Sequence, residues 1–381
     1  MSRILFFLII VSFLDTFIQL PIITPYAMDL GASHILTGVI VAIYSLSNMV
    51  GNIFGGHWID RYGRKSMLFL GMLLVAVILL FYPLAQTGWQ LFFIRFVHGL
   101  AGGLLIPAAF AYVGDRSKSK TRGKSMALTG ASIGIAAITG PAIGGAMAAR
   151  SQVEYVFIFV SILFFICTFL IYKFIDESYV PTEKGKFTPK EFIPLLKHPL
   201  VLQASLAAFA LMISNGTLAF ALPLKVGEMG LDSETTGMML SIYGIVAIIV
   251  FSTPLNRLYD KFSSVKLVII GIMIIGSVHI MLNMTALYWL SMLLMVVYGI
   301  GFALVFPSMN RIVAEASTKV DRGKAYGIFY AFFSLGSVVG SFVSGATAEK
   351  FGLPFLSSAI TMISIGIILV VIAKFFTPKI Q

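Results

Sequence analysis

Long apolar runs broken by short polar stretches recur along the whole chain. They fall near 4–24, 34–56, 66–85, 90–112, 125–147 and 153–174, then near 199–223, 234–256, 266–285, 288–310, 324–347 and 353–374. Each is close to the roughly 20 residues that a helix needs to cross a bilayer core. The pattern predicts an all-α polytopic membrane protein with twelve spans. The first run begins at Arg3 and continues through Asp15 to Pro21 with no small-residue cleavage site, so it reads as a retained span.

The longest polar interruption is 175–198, which carries Asp176, Glu177, Glu183, Lys184, Lys186, Lys190, Glu191 and Lys197. It predicts an N-terminal six-helix bundle over 1–174, a cytoplasmic linker over 175–198 and a C-terminal bundle over 199–381. Composition fits. Of 381 residues, 58% are hydrophobic and 11% charged, with a mean hydropathy of +0.96, against about a quarter charged in soluble proteins. The net charge of +11 does not point to nucleic acid, because no basic domain stands clear of the spans. Lys and Arg concentrate in alternate loops, while Arg150, Lys225 and Lys350 are on the other side. The positive-inside rule then puts both termini and the linker in the cytoplasm, in a cell membrane of bacterial inner-membrane type. The single cysteine, Cys167, excludes an internal disulfide and reads as packing.

The halves repeat at an offset of about 200 residues. Arg122-Gly123-Lys124 returns as Arg322-Gly323-Lys324. Asp60, Gly71, Trp89, Gly99, Pro107 and Gly140 map to Asp260, Gly271, Trp289, Gly299, Pro307 and Gly340, and Thr37-Gly38 maps to Thr236-Gly237 one residue short. Parallel six-span repeats place a substrate path between them.

Two strong charges lie well inside spans, Asp15 and Arg95. At the bilayer centre each costs about 2.5–3.5 kcal/mol on insertion scales. Asp15 lies about 18 Å along its helix from Arg3, and Arg95 about 9 Å from Trp89, so their depths in a roughly 30 Å core agree. They are expected to pair or to share a polar cavity. Asp15 reads as a proton carrier or as half of a structural ion pair. Arg95 reads as its partner or as a snorkelling side chain. His98, one turn from Arg95, is either a titrating group or a hydrogen bond between helices. His279 reads as packing or structural.

The loop G-H-W-I-D-R-Y-G-R-K, 56–65, gathers Asp60, Arg61, Arg64 and Lys65 around Gly56 and Gly63. So short a turn needs Gly63 where φ is positive or a side chain would clash. Asp60 is expected at a helix N-terminus or an Arg, and Asp115 is a partner for Arg64. In the fifth span, Gly130, Gly134, Gly140, Gly144 and Gly145 form a small-residue face beside Pro141, suited to close helix packing.

The 56–65 loop resembles the signature G-x-x-x-D-R-x-G-R-K between spans 2 and 3 of the major facilitator superfamily, with Trp58 where Leu is usual. The stretch N-R-L-Y-D-K-F at 256–262 is its degraded second copy. R-F-V-H-G at 95–99 resembles the R-x-x-Q-G pattern of proton-coupled exporters, with His98 replacing Gln. G-P-A-I-G-G at 140–145 resembles the antiporter motif of drug–proton exporters. L-D-T-F-I-Q-L-P-I-I-T-P-Y at 14–26 resembles the first span of twelve-span drug exporters, the tetracycline efflux proteins included.

The resemblance implies two pseudo-symmetric six-helix bundles and a gating latch at 56–65 with Asp115. It implies proton transfer at Asp15, Arg95 and His98, and an outer seal at the fifth-span glycines. By the same analogy Gln19, Asn215, Thr217, Tyr298 and Asn310 line a substrate cavity with Asp15. The expected function is proton-coupled efflux of a small amphipathic or drug-like molecule by a monomer. The alternatives are an uptake symporter or facilitator, or export of a siderophore, sugar or lipid. The second half has no carboxylate away from span ends, which argues against two coupling acids. No H-E-x-x-H or G-x-S-x-G motif suggests an enzyme. R-G-K-S at 122–125 has Lys118 where a phosphate loop needs its first Gly. No ATP or other cofactor is expected; the partners are substrate, protons and the lipid bilayer.

Overall fold

A computed structural model describes residues 3–116, 122–178, 193–317 and 322–375. Lys118, the acidic and basic linker residues from 183 to 191, and Lys319 lie outside them. Among the described residues eleven helices are long and apolar enough to cross a membrane, and twelve if a bent pair near the N-terminus counts as one span.

By packing, the chain forms two compact units, Met1–Gly185 with Gly230–Ser241, and Lys186–Met229 with Ile242–Gln381. In the first, α1 (Arg3–Ile18) and α2 (Ile23–Asp29) form the bent span. They are followed by α3 (His34–Tyr62), α4 (Arg64–Leu79), α5 (Gly88–Gly102), α6 (Leu105–Arg116), α7 (Arg122–Arg150) and α8 (Glu154–Phe174). The second holds a short α9 (Ile193–Leu196), then α10 (Pro199–Glu228). After α11 (Ser233–Ser252), whose first half groups with the first unit, come α12 (Leu258–Lys261), α13 (Ser264–Met284), α14 (Tyr288–Ala316), α15 (Arg322–Phe351) and α16 (Pro354–Phe375).

The first span is not the single helix that its unbroken apolar run predicts. It bends by 48° between α1 and α2. Pro21 has no N–H to donate, and the chain closes a tight turn in which the Gln19 carbonyl accepts from Ile22 N at 3.1 Å and Ile23 N at 2.9 Å. The fourth span is likewise two helices, α5 and α6. Gly103 N still reaches the Gly99 carbonyl at 2.9 Å, whereas Pro107 cannot donate one turn further on. Helix α7, by contrast, runs unbroken through Pro141.

In each unit the first span packs on the fifth, α1 on α7 and α10 on α15. Glycine lets these backbones meet, as small residues do between helices in lipid. A Cβ at Gly144 would collide with the Ile18 carbonyl, and one at Gly340 with that of Ile213. The repeat seen as letters is thus a repeat of helix seams.

Candidate functional site

Asp15 sits in the last turn of α1, 2% exposed. Gln19, one turn on at the break, donates Nε2 to Asp15 Oδ1 at 2.7 Å. The Gln19 Oε1 accepts from Arg95 Nη1 at 2.7 Å. Arg95 on α5 also donates Nε to the Ile40 carbonyl at 3.0 Å, and its guanidinium lies 4.7 Å from the Tyr44 ring centre. The two buried charges therefore share one polar network, bridged by an amide rather than paired directly. Arg95 does not snorkel; it is 5% exposed. A buried charge left alone would cost several kcal/mol, and this bridge supplies each with the other's field.

The second carboxylate oxygen is also engaged. Tyr44 donates its hydroxyl to Asp15 Oδ2 at 3.4 Å and shares a 3.3 Å contact with Thr16. His98 Nε2 stands 3.1 Å from Oδ2, a close approach rather than an aligned hydrogen bond. Its Nδ1 is 2.8 Å from the Tyr82 hydroxyl. Tyr82 follows α4, so it lies at the end of that span opposite the signature loop. Asp15, His98 and Tyr82 stand in a row, their polar atoms 3.1 Å and 2.8 Å apart. Tyr44 and Tyr82 were not visible as site residues, because a tyrosine in an apolar run looks like any membrane-interface ring.

At the opposite end of α4, Gly63 takes φ +95° and is the only residue between α3 and α4. Arg64 Nε meets Asp115 Oδ2 at 3.1 Å and Arg64 Nη1 donates to the Ile59 carbonyl at 2.9 Å. Lys65 Nζ reaches the Tyr172 carbonyl at 3.4 Å, and Arg61 is exposed beside the Tyr62 ring. Gly56 and Asp60 fall on α3, and the Asp60 side chain lies outside the described residues. Glu177 is a member of this cluster that the sequence concealed. Its Oε1 accepts from Arg64 N at 2.8 Å and its Oε2 from Lys65 N at 3.0 Å. It thereby caps the exposed amides of α4 from the start of the linker. Ser178 adds its hydroxyl to Asp115 Oδ2 at 3.3 Å.

The glycine face of α7 divides between two neighbours. Gly140 and Gly144 lie against Phe17 and Ile18, one turn from Asp15. Gly145 and the Pro141 carbonyl meet Ser233 and Gly237, in the α11 segment of the same unit. There Ser241 donates to the Ile138 carbonyl at 2.7 Å and Arg150 pairs with Glu234 at 2.8 Å. Gly134 is half-buried on the same helix.

The expected cavity residues fall in both units. Gln19 belongs to the Asp15 network. Asn215 and Tyr298 are brought together, Asn215 Nδ2 lying 3.4 Å from the Tyr298 oxygen. Thr217 is fully buried and turned to the Gly340 carbonyl at 3.4 Å. Asn310 donates to its own helix at Phe306 O, 2.8 Å away. His279 is held structurally, its nitrogens 3.0 Å from Ser214 Oγ and 3.0 Å from Ser358 Oγ. No three metal-ligating side chains converge among the described residues.

The sequence model described as Major Facilitator Superfamily matches residues 5–204 and 204–380. The chain is 26% identical over 362 residues to "Multidrug resistance protein MdtG" of Salmonella typhimurium, covering 92% of this chain and 88% of that protein. Its fold is similar to that of the peptide transporter POT in complex with sulfate, with a TM-score of 0.80 at 15% identity over 97% of this chain and 94% of that one. It is also similar to a bacterial homolog of the human lysosomal transporter Spinster, with a TM-score of 0.79 at 14% identity over 98% and 94%. With its apolar helices, its repeated seams and a family match along almost its full length, the chain belongs to the major facilitator superfamily and is a multi-pass membrane transporter, not an enzyme.

Proposed function

We propose that the protein exports a small amphipathic molecule in exchange for protons. The observation that carries this reading is Asp15, a 2%-exposed acid on a broken span, held by Gln19, Tyr44 and His98 and balanced by Arg95. Protonating it would leave the Arg95 guanidinium as the uncompensated buried charge of this network. A conformation in which Arg95 is hydrated or re-paired is then favoured, and a proton's arrival shifts the balance of states. His98 and Tyr82 supply the route for that proton. The 26%-identical relative named a multidrug resistance protein and the 140–145 glycines support export of a drug-like molecule over uptake. The protein acts as a monomer in a bacterial cytoplasmic membrane with both termini inside, as the loop charges favour.

Asp15→Asn keeps the side chain's size and its hydrogen bond to Gln19. In proteoliposomes with an imposed pH gradient it is expected to abolish substrate-linked proton movement, read with a pH dye, and to lower the melting temperature because Arg95 is left uncompensated, while the protein still elutes as a monodisperse peak. Undiminished proton-driven transport would defeat the carrier role.

A further inference from the structure

The two units build one aromatic frame with different chemistry. In the first, Tyr44 meets His98 edge-on at 5.1 Å, and His98 meets Tyr82, which stacks on Phe157. In the second, Tyr243 meets Tyr298 edge-on at 5.2 Å, and Tyr298 stacks on His279, which meets Phe355. Histidine and tyrosine have exchanged places. At the 200-residue offset Asp15 becomes Asn215.

The hydrogen bonds around Asn215 fix its orientation. Its Nδ2 lies 3.1 Å from the Leu211 carbonyl and 3.4 Å from the Tyr298 oxygen. A backbone carbonyl only accepts, so the amide nitrogen must be on that side. Tyr298 is held in turn by Ser214 Oγ at 2.9 Å, and Ser214 by His279. These three are fully buried, whereas Asn215 is half-buried. Its Oδ1 is left as an acceptor with no hydrogen-bond partner among the described residues. In the first unit both oxygens of Asp15 are engaged. The described residues of the second unit bury no Asp, Glu, Lys or Arg, so nothing there balances a charged ligand.

We propose that Asn215 Oδ1 is a binding site for an uncharged hydrogen-bond donor, a hydroxyl or amide N–H, carried by the transported molecule. The claim rests on the transporter reading above. His279 is a positioning residue, acting through Ser214 and Tyr298 to hold the amide in its acceptor-outward pose. A site that hydrogen-bonds a ligand group discriminates strongly against ligands without it.

Two measurements test this. In a Cys167→Ser background, Asn215→Cys is treated with N-ethylmaleimide in membranes. A thiol must ionise in water to react, so labelling at several times the rate of a Cys at exposed Ile360 is expected, and no labelling overturns the proposal. The second compares transport of two uncharged probes, chloramphenicol with hydroxyl and amide donors and Nile red with none. Asn215→Leu is expected to raise the KM for chloramphenicol relative to that for Nile red about tenfold, with kcat within twofold. His279→Leu should move the same ratio part of the way, and His279→Gln should restore it. An unchanged ratio, or a wild-type protein that carries Nile red but not chloramphenicol, overturns the proposal. If Asp15→Asn still couples protons while Asn215 behaves as stated, the exchange mechanism fails and this site stands.

Discussion

Removing Arg95 strips Asp15 of its compensating cation and leaves Gln19 with an unused acceptor. Arg95→Gln is therefore expected to lower stability by about 3–5 kcal/mol, as when one member of a buried pair is lost. The double variant Asp15→Asn/Arg95→Gln should recover part of that loss, because no lone charge remains. Melting in detergent measures both, and equal melting points for the single and double variants would show that the two charges are uncoupled. At this scale the sequence was legible where a charge interrupts an apolar run. Asp15, Arg95 and His98 announced themselves and lie in one network. Tyr44 and Tyr82 did not, because only the fold distinguishes a tyrosine that faces a carboxylate from one that faces headgroups. Thr217 and Asn310 show the converse. The Thr217 hydroxyl and the Asn310 amide nitrogen each reach a helix carbonyl, which their letters in the sequence do not show.

Among the elements, α1 depends on its seam with α7. Gly144→Leu drives a side chain into the Ile18 carbonyl, so it is expected to abolish a monodisperse peak of a fluorescent fusion in size-exclusion chromatography. Gly130→Leu, whose Cβ meets nothing within 4 Å, should elute like the parent. The cap on α4 gives a finer gradation. Glu177→Ala removes two acceptors from helix amides, a loss of about 0.5–2 kcal/mol for a cap, and Glu177→Gln should retain part of it. Equal melting points for all three proteins would mean that the cap contributes nothing. Helix lengths were readable from apolar runs, whereas the breaks at 19–22 and 103–104 were not. Hydropathy continues across both, and only the missing proline donors mark them. Glu177 was hidden for a related reason: nothing near it in the chain indicates that its partners lie 112 and 113 residues away.

For the whole molecule, the distribution of basic loops is the argument for cytoplasmic termini. A green fluorescent protein fused after Gln381 is expected to fluoresce in a bacterial host, since it folds in the cytoplasm, and alkaline phosphatase at the same point should be inactive. The reverse result would invert the charge argument. The repeat was visible from matched glycines and the Arg-Gly-Lys tripeptide, and the structure gives one matched pair, Gly140 and Gly340, a common reason in the two seams. It could not reveal that His98 and His279, from different spans of their repeats, join equivalent aromatic frames, since neither aligns with the other at the offset of the glycines.

That exchange of rings has a practical consequence. Because the seams are glycine set against backbone carbonyl, while the chemistry sits in four rings, one short side chain and, in the first unit, Gln19 and Arg95, each half behaves as a chassis with a replaceable cartridge. Tyr298→His together with His279→Tyr, Asn215→Asp, Ala219→Gln and Met295→Arg would transplant the acidic cartridge into the neutral chassis, leaving every seam glycine as it stands.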